Sequence, residues 1–81
     1  MTLREYIEII SDIDGYIARG GRLLDLPLQD LSPPQQVLLM GRAAPSAIAR
    51  FGRFLGAMGE QAPGVTEERA RAIWSGTIPP H

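Results

Sequence analysis

The side chains that usually perform chemistry are almost missing from this chain. It contains no Cys and no Lys, and its single His is the last residue, His81. General acid–base catalysis near neutral pH usually depends on His, and covalent catalysis on Cys, Lys or a Ser activated by a neighbouring base. The carboxylates, hydroxyls and guanidinium groups that remain are suited to binding. The composition therefore predicts a protein that is not an enzyme, has no catalytic residues and uses no cofactor.

Metal binding has equally little support in the residue types. One His and no Cys cannot build a zinc site. Residues 12–15 (DIDG) begin like a calcium loop, which requires an oxygen ligand at its fifth position, Gly at its sixth and Glu at its twelfth. Those positions hold Tyr16, Ile17 and Leu23. We therefore expect no metal site.

Every cation outside His81 is an arginine, and the charges are unevenly divided along the chain. The formal net charge is −1. Residues 1–31 hold six acids against three Arg, a net −3, whereas residues 32–81 hold five Arg against three Glu, a net +2. The absence of Lys fits codon bias in a GC-rich genome. It also fits a use of guanidinium groups for forked contacts with carboxylate or phosphate, and both interpretations stay open.

Apolar residues spaced three to four apart predict a first helix over residues 2–19, which two glycines end. Its apolar arc covers about half of the circumference. The opposite face carries a candidate acidic binding surface formed by Glu5, Glu8 and Asp12.

The next two segments differ in character. Residues 22–31 are rich in leucine and broken by Pro27, which predicts an extended connection packed against the helices. Ser32 and Pro33 then form a strong helix start, and a helix is predicted over residues 33–43. Its apolar run at residues 37–40 points in every direction around the axis, which predicts a central and mostly buried helix.

A further helix is predicted over residues 45–59, with an apolar arc about 120° wide. Arg50 and Arg53 are placed opposite this arc, and Arg42 joins them if the helix continues across Pro45. Between the two faces runs a stripe of small residues: Ala49, Gly52, Gly56 and Gly59. Each Gly costs a helix roughly 1 kcal/mol relative to Ala, so the stripe predicts the close approach of another backbone.

The last predicted helix spans residues 66–75. Residues 64–66 (GVT), with the apolar positions Ala70 and Ile73, resemble the turn and recognition helix of Cro/repressor-type helix-turn-helix proteins. The resemblance implies a small DNA-binding regulator whose contacts would come from Thr66, Arg69 and Arg71. Residues 59–63 depart from the family's pattern, because they separate the preceding helix from the turn.

Two polar groups on otherwise apolar faces require partners. Asp14 lies at the edge of the first helix's apolar arc, where an acid is expected to meet an Arg across a helix pair or to reach water. Trp74 is expected to anchor the core or its rim, and its indole N–H needs an acceptor.

The predicted fold is all-α. We expect a compact small bundle of about four helices, forming a single domain over residues 1–81. No stretch approaches 18 unbroken apolar residues, and the N-terminus carries a charge pair where a signal peptide would have its apolar core. These features predict a cytoplasmic protein that does not enter a membrane.

The predicted function is that of a non-enzymatic protein-binding module. We expect a small inhibitor or adaptor, such as a phage-type or accessory protein, that docks on a larger protein. The predicted partner-binding residues are Arg42, Arg50, Arg53, Glu5, Glu8 and Asp12. The arginines are favoured, because guanidinium loses less hydration on docking, and binding through them depends strongly on salt. A homodimer across a two-fold axis is left open, and the alternative function is the DNA-binding regulator.

Overall fold

The computed structural model describes residues 1–27 and 31–77, and every regular element in these two ranges is helical. Five α-helices and one 3₁₀ turn follow in chain order: α1 (Leu3–Ser11), α2 (Ile13–Ala18), the turn (Leu23–Asp25), α3 (Pro33–Arg42), α4 (Pro45–Gln61) and α5 (Glu67–Ser75). The all-α prediction is confirmed, with five helices in place of about four. The predicted bounds of α3, α4 and α5 are correct to within two residues.

The prediction of one unbroken helix over residues 2–19 is wrong, because the helix divides at Asp12. The backbone of Asp12 has φ −152° and ψ 67°, and its carboxylate accepts a hydrogen bond from the Gly15 N–H at 3.0 Å. This bond caps the N-terminus of α2, a position that Asp favours over a helix interior. The apolar spacing continues across the break, so periodicity alone could not reveal it.

The extended conformation predicted for the leucine-rich connection, residues 22–31, is not confirmed. Its beginning forms the 3₁₀ turn Leu23–Asp25, and the side chains of Leu23 and Leu26 are buried in the core. Residues 28–30, which include Leu28, lie outside the described residues. The part that the structure describes is therefore packed against the helices in a turned conformation.

A row of aromatic side chains forms the centre of the core and joins α1, α4 and α5. Phe54 of α4 has no solvent exposure. Its ring centroid lies 6.0 Å from that of Phe51 and 5.6 Å from that of Trp74, and Tyr6 meets Phe51 edge-on at 6.2 Å. The Tyr6 hydroxyl donates to the Pro27 carbonyl oxygen at 3.0 Å, and burial raises the pKa of that hydroxyl. A chain of this size has one small core, so this row supplies much of its hydrophobic stabilisation.

Candidate interaction surface

Helix α3 is the largest departure from the sequence-based expectation. It begins as predicted, and the Ser32 backbone N–H donates to Gln35 Oε1 at 2.9 Å. Of its four consecutive apolar residues only Leu39 is buried, whereas the others are 70 %, 45 % and 67 % exposed: Val37, Leu38 and Met40. The prediction that α3 is central and mostly buried is therefore wrong. Successive residues turn by about 100° around the axis, and α3 packs on α1 and α4 from one side, so one residue of the four reaches the core.

The exposed side of α3 carries no charge before Arg42, the last residue of the helix. No Asp, Glu, Lys or Arg occurs anywhere between Ser32 and Gly41. The outward side of a surface helix is ordinarily polar or charged. A contiguous exposed apolar patch larger than a few hundred Å² is uncommon on a soluble monomer and marks a site of interaction.

A shallow groove of about 210 Å³ runs between α3 and α4. Its walls come from both helices and include Gln36 and Leu39 of α3 and Ile48, Gly52 and Leu55 of α4. All of these residues are uncharged. The apolar character of α3 therefore continues across the groove onto α4.

The stripe of small residues on α4 faces open space. A Cβ atom built on Gly52, Gly56 or Gly59 would meet no atom within 4 Å, and all three glycines are exposed. The close approach of another backbone that the stripe predicted therefore does not occur at these glycines within the described chain. Helical spacing places Gly52 and Gly56 on the groove side of α4.

We name the surface formed by these two helices the α3–α4 face. It consists of Val37 and Met40 on α3 and Ile48, Gly52 and Gly56 on α4. On α3 it is a ridge of exposed side chains, and on α4 it has a notch at Gly52 and Gly56, where there are no side chains. Sequence reasoning missed it because it assigned the α3 residues to the core.

Arg50 does not point to solvent, which corrects the predicted geometry of the arginine surface. Its side chain is 16 % exposed. Nε donates to Thr77 Oγ1 at 2.9 Å, and Nη2 donates to the Trp74 carbonyl oxygen at 3.1 Å. The guanidinium carbon also lies 3.8 Å from the centre of the Trp74 ring. The physical reason is that Arg50 precedes Phe54 by four residues, so both lie on the side of α4 that α5 covers.

Asp14 completes this cluster from α2. Arg50 Nη1 donates to Asp14 Oδ2 at 3.0 Å, and Trp74 Nε1 donates to Asp14 Oδ1 at 2.8 Å. The Trp74 hydrogen bond, together with the hydrogen bond and the charge of Arg50, outweighs desolvation and lowers the pKa of the Asp14 carboxyl. The expectations that Asp14 meets an Arg across a helix pair and that the Trp74 N–H finds an acceptor are both confirmed.

The structure does not gather the three arginines into one patch: Arg53 contacts the same residue as Arg50, Thr77, whereas Arg42 lies beside Arg4 and Glu8. Arg53 is exposed, and its Nη2 donates to the Thr77 carbonyl oxygen at 3.2 Å. Arg42 ends α3, and Ala43 breaks the helix before Pro45, so the condition for Arg42 to join the α4 arginines is not met. A partner-binding role for these residues stays a prediction.

The predicted acidic residues are exposed, and two of them take part in helix capping. Thr2 Oγ1 accepts from the Glu5 N–H and donates to Glu5 Oε1, both at 3.2 Å. Asp12 caps α2 as described above. Glu8 lies on α1 beside a hollow that it shares with Arg42 and Arg4. The acidic surface therefore has two arginines, Arg4 and Arg42, at its edge. Its role in binding stays a prediction.

The residues of the DNA-binding alternative have contacts within the chain. Thr66 Oγ1 caps α5 by accepting from the Arg69 N–H at 3.1 Å. Arg69 Nε donates to Gln61 Oε1 at 2.7 Å, and Arg71 Nε donates to Glu67 Oε2 at 3.3 Å. A five-residue connection separates α4 from α5.

Glu67 was not singled out in the sequence, yet it ties α5 to the 3₁₀ turn. Its Oε2 accepts from the Leu23 N–H and its Oε1 from the Leu24 N–H, each at 3.0 Å. Desolvation raises the pKa of this carboxyl, but the hydrogen bonds from Leu24 and Leu23 and the charge of Arg71 outweigh it and lower the pKa overall. The partners lie more than 40 residues away in sequence, so no local pattern could have revealed the contact.

Neither a metal site, nor a membrane span, nor a similarity to known proteins indicates a function for the described residues. Within residues 1–27 and 31–77 no group of acidic or histidine side chains is arranged to hold a metal ion. In the same residues no helix has the length and apolarity to cross a bilayer. A comparison with protein-family models, curated proteins and solved structures finds no match to this chain. Function is therefore inferred from the geometry.

Proposed function

We propose that this protein acts by binding another protein through the α3–α4 face and performs no chemistry of its own, in the manner of a small inhibitor or adaptor. The observation that carries the proposal is the exposure of Val37 and Met40, which are 70 % and 67 % exposed in an uncharged stretch of α3, residues 33–41. Covering each of these side chains is favourable by on the order of 1–2 kcal/mol. A cytoplasmic setting is part of the proposal and is consistent with a chain that has no Cys.

An uncharged docking surface and an arginine surface differ in their response to salt. Pairing between exposed charges is screened as the ionic strength rises, whereas apolar burial is not. The dissociation constant for binding through the α3–α4 face should therefore change by less than about threefold between about 0.05 and 0.5 M NaCl. Binding through Arg42 and Arg53 would weaken far more.

Selection from a displayed library of random helical peptides tests this proposal. We expect the enriched peptides to carry apolar residues at positions i, i+3, i+4 and i+7, as helices that bind apolar grooves do. Val37→Glu should weaken their binding at least about tenfold, because it places a charge in the contact. The matched control is Arg53→Glu, a charge change at an exposed position of α4, which should alter binding by less than about twofold.

Two outcomes would contradict the proposal. Enriched peptides that are acidic, require Arg53 and lose affinity as salt rises would assign docking to the arginines. A library that yields no binder when the protein is monomeric would remove the α3–α4 face as a docking surface for other proteins. No observation favours DNA binding as a second candidate function, because Thr66, Arg69 and Arg71 hold contacts within the chain.

A further inference from the structure

We infer that the partner that fits the α3–α4 face is a second copy of this chain, related to the first by a two-fold axis along the groove. This inference rests on the proposed function and names the partner of the same surface. It depends on three properties of the face: its shape, its charge and its area.

The shape of the face is self-complementary. The exposed side chains of Val37 and Met40 form the ridge, and the open positions at Gly52 and Gly56 form the notch beside it. In an isologous dimer each contact occurs twice, so a surface pairs with itself when it carries a projection and a matching recess on opposite sides of the axis. The ridge and the notch lie on opposite sides of the groove.

The register of the two helices brings the projection opposite the recess. Only Ala43 and Ala44 connect α3 to α4, and residues of both helices line the groove, so the two helices lie on either side of it. A two-fold axis along the groove places α3 of the second copy over α4 of the first. Gln36 and Gly52 both line the groove, and the proposed arrangement sets Val37, the residue after Gln36, against Gly52 of the other copy. The missing side chain at Gly52 provides room for it.

The charge of the face permits self-association. A two-fold axis places a patch against its own copy, so charged residues of one sign inside the patch would repel one another. Residues 33–41 contain no charge, and the groove residues of α4 contain none. The same property makes a strongly charged partner a poor fit, because its charges would lose water without gaining a counter-charge.

The area of the face is sufficient for a dimer of moderate affinity. Helices of 10 and 17 residues are about 15 and 25 Å long, and packed helices lie about 10 Å apart. The two together present on the order of 500 Å² per copy, against about 800 Å² in an interface of standard size. We therefore expect a dissociation constant on the order of micromolar.

Sedimentation analysis of the purified chain provides the test. The mass of the wild type should rise from 8.8 kDa toward twice that value between about 1 and about 500 μM protein. Val37→Glu and Gly52→Lys should each raise the dissociation constant at least about tenfold. Both changes lie at exposed positions, and Lys is a better helix former than Gly, so both monomers should stay folded. Ala72→Lys, at an exposed position of α5, is the matched control and should leave the dimer intact.

Mixing the two variants tests the arrangement itself. The Val37–Gly52 contact occurs twice in the proposed dimer. In a mixed dimer of Val37→Glu with Gly52→Lys, one of these contacts keeps the native pair, and the other brings the new carboxylate to the new ammonium. We expect the mixture to dimerise at least about tenfold more tightly than either variant alone. A mixture that stays monomeric, or a dimer that neither variant weakens, would overturn the arrangement. A wild type that remains monomeric would overturn the inference that the partner is a second copy. Val37-dependent binding of selected peptides would then show that the proposed function still holds.

Discussion

Replacement of Arg50 by methionine is expected to lower the free energy of unfolding by about 3 kcal/mol, although the sequence places this residue among the surface arginines. Its guanidinium satisfies Thr77 Oγ1, the Trp74 carbonyl oxygen and Asp14 Oδ2, and it covers the Trp74 ring. Hydrogen bonds from a charged, largely buried group contribute about 1.5–3 kcal/mol. Without Arg50 the buried Thr77 Oγ1 also loses its donor. Cation–π contact adds about 0.5–1 kcal/mol. The loss is large against a total stability of roughly 5–10 kcal/mol.

Arg53→Met is the matched control for this change. Arg53 lies three residues further along α4, is exposed and makes one hydrogen bond to the Thr77 carbonyl oxygen. Its replacement should cost less than about 1 kcal/mol. Urea denaturation followed by Trp74 fluorescence measures both variants. Equal losses for the two would show that the cluster around Asp14 and Trp74 does not hold α5 to the rest of the fold.

Glu67→Ala is expected to lower the free energy of unfolding by about 2 kcal/mol. The carboxylate is the acceptor for the Leu23 and Leu24 N–H groups, and its removal leaves two backbone donors at the edge of the core without a partner. Glu68→Ala is the control, since Glu68 is the exposed neighbour in the same first turn of α5. A loss for Glu68→Ala as large as that for Glu67→Ala would assign the effect to the helix dipole and not to the turn.

The same carboxylate gives the stability of the protein a dependence on pH. The folded pKa of Glu67 is lowered, so its contribution is fully present above the unfolded pKa of about 4.3 and is lost as the pH falls through the folded pKa. The pKa of Asp14 is lowered as well, and it acts in the same direction. In urea denaturation below about pH 4.5 the wild type should therefore lose more stability than Glu67→Gln. Parallel loss in both proteins would contradict this assignment.

The helices could be predicted where their ends are encoded locally. Ser32 and Pro33 begin α3, Pro45 begins α4 and Thr66 caps α5, and each of these residues acts on its own backbone. The division at Asp12 was missed because two local tendencies compete there. Apolar spacing favours a continuous helix, whereas the carboxylate favours a cap, and the outcome depends on where α2 must pack.

The interaction surface could not be predicted because exposure is a property of the neighbours. Four consecutive apolar residues on α3 are compatible with a helix covered on all sides and with one covered on a single side. The sequence does not say how many helices surround α3. The burial of Arg50 could not be predicted for a related reason. Helical spacing shows that Arg50 and Phe54 lie on the same side of α4, but it does not show that α5 covers this side. The role of Glu67 could not be predicted either, because its hydrogen-bond partners lie in a turn more than 40 residues away in the sequence.

Methyl NMR of methionine with a dissolved paramagnetic probe tests most directly whether the α3–α4 face is the docking surface. The chain has three methionines, and the other two serve as internal controls, since Met1 is exposed outside the face and Met58 is buried. In dilute protein the probe should broaden the Met1 and Met40 signals and spare Met58. When a selected peptide is added, or the protein concentration is raised, Met40 should become protected while Met1 stays accessible. Protein that is demonstrably bound or dimeric with Met40 still broadened would contradict the account.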